Sequence, residues 1–199
     1  NYFDVLGVPM YLGRGFTEEE GRVPGGAQAV VLGHGYWQRA FGGDRSVVGT
    51  TLSVNGAPYT IVGVVSPGFR GMMPGTETAL YVPVMMATEV EPAGLIDTVG
   101  SPTGDNILER RGHRWMFMVG RMAPGVEMGE VRAEMEVLAS ALASEYPQTN
   151  EDRELRVLPA GQVRIHPEID GFLTPISGVM LALVGLVLLV ACANLAGMF

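Results

Sequence analysis

The sequence has little cysteine and little positive charge, and both shortages exclude classes of protein. Its single cysteine, Cys192, has no partner for a disulfide within the chain. Lysine and arginine number 13 against 21 acidic residues, which gives a net charge of −8 at pH 7. A nucleic-acid-binding protein needs a basic face to match the phosphate backbone, so the composition predicts no nucleic-acid partner. The 47% hydrophobic content over 199 residues also excludes a disordered chain.

The motifs of common catalytic and cofactor sites are missing as well. The chain contains no G-x-S-x-G nucleophile elbow and no H-E-x-x-H metal motif. Its histidines, His34, His113 and His166, are scattered along the sequence. Segment 33–35 (GHG) follows a predicted strand as a dinucleotide fingerprint would, but Gln38 stands where the third glycine is needed. We therefore predict no catalytic residue, no cofactor, no metal site and no enzymatic activity. An anchored hydrolase would require a pocket that joins His34 or His113 to two carboxylates.

What the sequence does have is a long apolar run at its C-terminal end. Residues 176–199 contain no charged side chain, and as a helix they would be about 36 Å long, enough to cross a hydrocarbon core of about 30 Å. A buried core helix is the alternative, although such helices rarely stay apolar on every face. Asn194 predicts a side that faces other protein, because an amide in a membrane helix finds hydrogen-bond partners there. The predicted transmembrane helix is marked by Ile176, Leu181, Leu188, Asn194 and Phe199.

The body that precedes this run reads as short strands alternating with helices, an α+β pattern. Residues 28–32 predict a strand, residues 36–41 a short helix, and residues 51–65 a β-hairpin that turns at Asn55-Gly56. Thr17 and Glu20 have the spacing of a capping box at a helix start. Further predicted elements are a strand at 80–84, a long irregular stretch at 85–112, a strand at 113–121, a helix at 127–146 and a strand at 154–158.

Two of these segments carry more specific expectations. In the helix at 127–146, apolar residues recur at spacings of three and four, so we expect this face to pack against the sheet; the residues are Met128, Val131, Met135, Leu138 and Leu142. In the irregular stretch and just after it, Arg110, Arg111 and Arg114 form a cationic group. This group could meet an acidic partner or lipid headgroups, or be a solvated loop face.

Several blocks of the sequence resemble the MacB/FtsX-type permeases of ABC transporters. The resemblance rests on NYFDVLGV at 1–8, GRGFT at 13–17, VLGHGYWQRAFGGD at 31–44, LSVNG at 52–56, and LLVACANLA at 188–196. The last block is similar to the second transmembrane helix of these permeases, particularly of the acidobacterial-type group. Gly33 stands where serine is common in the family, and Arg45 where proline is common.

The resemblance implies a two-lobed, noncatalytic periplasmic domain between the first two transmembrane helices, on the outer side of the bacterial inner membrane. Residues 1–23 and 113–160 would form a porter-like βαβ lobe, and residues 24–112 an inserted mixed lobe. Both lobes belong to a core domain over 1–170, which is followed by a linker and the truncated transmembrane helix at 171–199. A further transmembrane helix is expected before Asn1.

The partners that the resemblance implies are a cytoplasmic ABC ATPase, a second copy in a homodimer or pseudo-dimer, membrane lipid, and in some relatives a periplasmic adaptor. The implied function is the coupling of ATP hydrolysis to export or mechanotransmission. A membrane-tethered binding or sensor module without an ATPase is the alternative. The sequence does not choose a transported substrate.

Overall fold

The computed structural model describes residues 1–72, 75–90, 108–109, 116, 118–151, 153–163 and 170–196, and in the last helix it describes the side chains of 175–190. The chain divides into two compact units. The first comprises Asn1–Met72 with Thr76–Val157, and the second comprises Met73–Gly75 with Leu158–Phe199.

A mixed β-sheet organises the first unit. Its strands are β1 (Met10–Gly13), β2 (Ala29–Leu32), β3 (Thr51–Val54), β4 (Ala57–Val65) and β5 (Leu80–Tyr81). The order is β1-β4-β2-β5, and β3 also pairs with β4. Strand β4 runs parallel to β2 and antiparallel to β1 and β3, so it is the central strand. The pairing of β1 with β4 joins the start of the chain to the segment predicted as an inserted lobe, and the division into lobes stays a prediction.

Helices accompany the sheet, which confirms the α+β class. They are α1 (Tyr2–Leu6), α2 (His34–Phe41), α3 (Ala87–Val90), α4 (Met128–Glu145), α5 (Pro147–Asn150) and α6 (Asp170–Ala196), and single 3-10 turns lie at Glu19–Gly21, Arg45–Val47, Val84–Met86 and Ala160–Gln162. Pro147 cannot continue α4, because proline lacks the backbone N–H that a helix interior requires. It can begin α5, because the N–H groups of the first helical turn have no partner within the helix.

Side chains pack on both faces of the sheet because residues along a strand alternate in direction. In β2, Val30 and Leu32 pack on the face that carries Trp37, whereas Ala29 and Val31 pack on the face that carries Phe3. In β4 this alternation is interrupted. The pairing register with β2 shifts where Val30 and Val31 pair with Ile61 and Gly63, so a bulge lies within β4 at 61–63.

The predicted hairpin is confirmed, and its turn requires left-handed backbone at two positions. Asn55 has φ 49° and Gly56 has φ 84°, the pattern of the two-residue turns that match the twist of paired strands. The Asn55 Nδ2 atom also donates a hydrogen bond to the Val90 carbonyl at 2.8 Å. The turn therefore fixes the end of α3 in addition to joining β3 and β4.

The region after β5 differs in part from the predictions. The predicted strand at 80–84 shortens to Leu80–Tyr81, because Pro83 precedes the turn at Val84–Met86. Most of the predicted irregular stretch at 85–112, with Arg110 and Arg111, lies outside the described residues, as does Arg114. Of the predicted strand at 113–121, residues 116 and 118–121 are described, and they form no strand.

Helix α4 has the predicted position but not the predicted packing. Met128, Val131, Met135 and Leu142 are half-buried and Leu138 is exposed, so none of the expected contact residues is buried. The spacing correctly indicated an amphipathic helix, because periodicity reports one apolar face. Periodicity does not report whether another element covers that face.

The second unit contains one long helix. Residues 153–159 form no strand, so the strand predicted at 154–158 is wrong. Helix α6 begins at Asp170 and has 27 residues, with Pro175 inside it, whereas the apolar run starts at Ile176. No helix within the described residues combines the length and the hydropathy that a membrane crossing requires.

Candidate functional site

The largest exposed apolar surface in the described part of the chain is helix α6. Every side chain from 175 to 190 is exposed, and these residues are almost all aliphatic. Ile176, Leu181 and Leu188, which the sequence predicts to be in a membrane helix, are 55%, 77% and 66% exposed. A continuous apolar surface of this kind marks a contact with lipid or with other protein. We call residues 175–190 the apolar helix surface.

Two of the predicted membrane-helix residues are described less fully. Asn194 lies within α6, but only its backbone is described, and Phe199 lies outside the described residues. The structure therefore places Ile176, Leu181 and Leu188 on one helix.

A compact polar site lies near the start of the chain, between β1 and the turn at Glu19–Gly21. The Glu20 carboxylate accepts hydrogen bonds from Arg14 at 2.8 and 2.9 Å and from the Thr17 backbone N–H at 2.8 Å. The Glu20 N–H in turn donates to the Thr17 hydroxyl at 3.4 Å, which confirms the predicted capping box, although the helix is only a single 3-10 turn. The guanidinium of Arg14 lowers the pKa of Glu20 from 4.5 to about 2.

This pKa shift predicts an acid-dependent loss of stability. A carboxyl whose pKa is lower in the folded state stabilises the fold fully above its unfolded pKa of 4.5, and the stabilisation is lost as the pH falls toward about 2. We expect Glu20→Gln to be less stable than the parent chain at pH 6, with the difference disappearing between pH 4.5 and 2. Urea unfolding of both chains at several pH values measures this difference in the free energy of unfolding. A difference that stays constant over this range would contradict the shift.

Aromatic rings form a second cluster around α2, in which Tyr11 is exposed and Trp37 is buried. The sequence did not indicate this cluster. The rings of Tyr11, His34 and Trp37 lie with their centroids 5.2 to 5.4 Å apart. The Arg45 guanidinium lies over the Tyr11 ring at 5.7 Å, a distance typical of a cation–π contact. Arg45, which departs from the family's usual proline, therefore contributes to this cluster. Tyr11 lies 23 positions before His34, so its contact with α2 leaves no periodic signal in the sequence.

The other departure, at Gly33, permits a close approach of two segments. Gly33 precedes α2, and its N–H donates to the Ala79 carbonyl at 2.8 Å. A Cβ atom at position 33 would collide with the Thr78 carbonyl oxygen. The glycine therefore lets the segment that leads into β5 lie directly against the start of α2.

The described residues contain no cluster of side chains of the kind that binds a metal ion. Within these residues no three side chains of the histidine, cysteine, aspartate or glutamate type lie close enough together to hold a metal ion. His34 packs against Tyr11 and Trp37, and His113 and His166 lie outside the described residues.

Comparison with known proteins identifies the family to which this arrangement belongs. The family model described as MacB-like periplasmic core domain matches residues 1–138. The solved periplasmic region of MacB from Actinobacillus actinomycetemcomitans is 22% identical, with a TM-score of 0.45 over 75% of this chain and 55% of that one. The extracellular domain of the noncanonic ABC-type transporter YknZ from Gram-positive bacteria is 25% identical, with a TM-score of 0.36 over 44% of this chain and 41% of that one.

The chain thus spans only about half the length of these solved structures, or less. No curated protein sequence matches it. The family match extends from α1 through the sheet and into α4, and it confirms the resemblance of the blocks at 1–56. The block at 188–196 lies outside the match, so its likeness to a second transmembrane helix stays a prediction. This chain belongs to the family of MacB-like periplasmic core domains.

Proposed function

We propose that this chain is the extracytoplasmic domain of an ABC-type permease, in which α6 and the residues up to Phe199 cross the bacterial inner membrane. The helix would transmit movement between an ATPase in the cytoplasm and the domain outside. The domain itself would be noncatalytic. A homodimer or pseudo-dimer, and in some settings an adaptor, would complete the assembly.

The observation that carries this proposal is the apolar helix surface. The side chains of Leu181, Leu183, Leu186, Leu188 and Leu189 are each more than 60% exposed. Fully burying one leucine side chain contributes roughly 1.5–3 kcal/mol, so exposing five of them to water is unfavourable by several kcal/mol. A lipid bilayer removes the side chains on all faces of α6 from water. That matches a helix whose exposed residues include all of those from 175 to 190.

Membership of the family supports the rest of the proposal. The solved relatives are described as a region of MacB and a domain of an ABC-type transporter. By analogy we propose the lobes that the sequence blocks imply, a porter-like lobe from residues 1–23 and 113–160 and an inserted lobe from residues 24–112. The mixed sheet would then carry load between the start of the chain and the inserted lobe through the pairing of β1 with β4.

Charge placed in the apolar helix surface tests the membrane crossing. A lysine at the centre of a membrane helix costs about 2.5–3.5 kcal/mol, so Leu181→Lys with Leu188→Lys should strongly reduce insertion. We expect the double variant to leave the membrane fraction on vesicle flotation. The matched control, Leu181→Ala with Leu188→Ala, should stay with the vesicles. A double-lysine variant that floats like the parent would contradict the proposal.

Co-purification tests the coupling. The full-length protein, isolated from membranes, should bring an ATPase with it, and the complex should hydrolyse ATP faster than the ATPase alone. Absence of any associated ATPase, with membrane attachment intact, would instead support a membrane-tethered binding or sensor module.

A further inference from the structure

Helix α4 is attached to the first unit more weakly than the other long elements of that unit. None of its residues is buried, and Val137 is 70% exposed. The strands β2 and β4, in contrast, contain several side chains with no exposed surface at all. Elements with few buried apolar contacts open with less free energy than the core does. Helix α4 is therefore the long element of this unit that can detach most readily.

One side chain ties the segment before α4 to the start of the chain. Arg121 donates from Nη2 to the Val5 carbonyl at 2.7 Å and from Nε to the same oxygen at 3.2 Å. Val5 lies in the last turn of α1, where carbonyls lack partners within the helix and carry partial negative charge. Helix α1 has no basic residue of its own in that turn, so Arg121 supplies the cation from 116 positions away.

Arg121 approaches the glycine that ends α1. Gly7 has φ 68°, in the left-handed region, and a Cβ atom there would lie 3.3 Å from Arg121 Nη2. The turn that follows Arg121 closes with the Val126 N–H donating to Ala123, and it contains Gly125 at φ 83°. A turn thus separates the Arg121 contact from the first residue of α4.

We infer that Arg121 is a latch: its two hydrogen bonds to Val5 hold α4 against the first unit, and their loss releases α4 while the sheet stays folded. The reason is that the segment before the turn is held by the Arg121 hydrogen bonds, whereas α4 after the turn has no buried residue. Helix α4 starts with a capping box in which the side chains of Glu127 and Glu130 each accept from the other's backbone, so it needs no help at its first turn. It does need packing, because most of the stability of a helix in a protein comes from packing of its apolar face rather than from helix propensity.

Amide hydrogen exchange of the full chain in detergent tests the latch. In Arg121→Ala we expect exchange over residues 128–145 to accelerate about fivefold to tenfold, the effect of losing a charge-assisted hydrogen bond at an exposed site. Exchange in β2 and β4 should stay unchanged. Arg121→Lys keeps the charge but not the paired donors of the guanidinium, and we expect an intermediate acceleration.

Arg132→Ala is the matched control, because it removes the same charge from the exposed face of α4 itself. It should leave exchange over 128–145 close to that of the parent. Unchanged exchange of α4 in Arg121→Ala would overturn the inference, as would an equal acceleration in Arg132→Ala. If β2 and β4 accelerate by the same factor as α4, Arg121 stabilises the whole unit and is not a latch. None of these outcomes depends on an ATPase or on membrane crossing, so the test is separate from the proposed function.

Discussion

Replacement of Trp37 by alanine is expected to lower the free energy of unfolding by about 3–5 kcal/mol, as for other large aromatic residues in a core. Trp37 is 2% exposed and packs against the same face of the sheet as Val30 and Leu32. Its indole N–H also donates to the Asp44 carbonyl at 2.7 Å. The substitution therefore leaves a cavity and removes the hydrogen bond between the indole and the Asp44 carbonyl.

Urea unfolding of the full chain in mild detergent, followed by circular dichroism, measures the Trp37 effect. Trp37→Phe separates the loss of packing from the loss of the hydrogen bond, because phenylalanine keeps most of the packing and removes only the N–H donor. We expect Trp37→Phe to be clearly less destabilising than Trp37→Ala. A Trp37→Ala change below about 1 kcal/mol would show that the cavity collapses or that the site is not part of the core.

Gly63→Ala is the second substitution with a large expected effect. Gly63 pairs with Gly13 where β4 bulges, and a Cβ atom at position 63 would collide with the Arg14 carbonyl oxygen. The colliding atom belongs to the backbone, so a rotamer change cannot relieve the overlap, and β1 must move away from β4. We expect a loss of about 3 kcal/mol, at the upper end of the range for overpacking.

The same glycine-to-alanine change in open space is the control for Gly63. A Cβ atom at Gly129, in helix α4, would have no neighbour within 4 Å. Gly129→Ala should raise the free energy of unfolding slightly or leave it unchanged, since alanine favours a helix by roughly 0.5–1 kcal/mol over glycine. If Gly63→Ala and Gly129→Ala have similar stabilities by thermal denaturation, the close contact between β1 and β4 is not as described.

The elements that the sequence predicted well are those set by neighbouring residues. The hairpin follows from Asn55-Gly56 between two alternating strands, and the capping box follows from Thr17 and Glu20 three residues apart. The end of α4 follows from Pro147. Each of these features depends on the backbone preferences of a few consecutive residues, which a single sequence contains in full.

The features that were missed depend on residues far apart in the chain. The bulge in β4 is a property of its pairing with β2, and the Arg121 contact spans 116 positions. The packing of α4 was wrongly predicted because an apolar face indicates that a partner is needed, not which one. For the candidate site, the apolar run indicated α6. Hydropathy could not show that the helix starts at Asp170, because polar residues and Pro175 precede the run.

The hairpin turn is also a site of slow chemical damage, because it contains an Asn-Gly pair at Asn55-Gly56. An asparagine followed by glycine loses its side-chain amide readily, because the small glycine lets its own backbone nitrogen attack the amide carbon. Deamidation of Asn55 would replace Nδ2, which donates to the Val90 carbonyl, with an oxygen that only accepts. An ionised carboxylate would then face a carbonyl oxygen, and the end of α3 would lose its attachment to the turn. In stored purified protein, deamidation should therefore begin at Asn55, in the turn between β3 and β4.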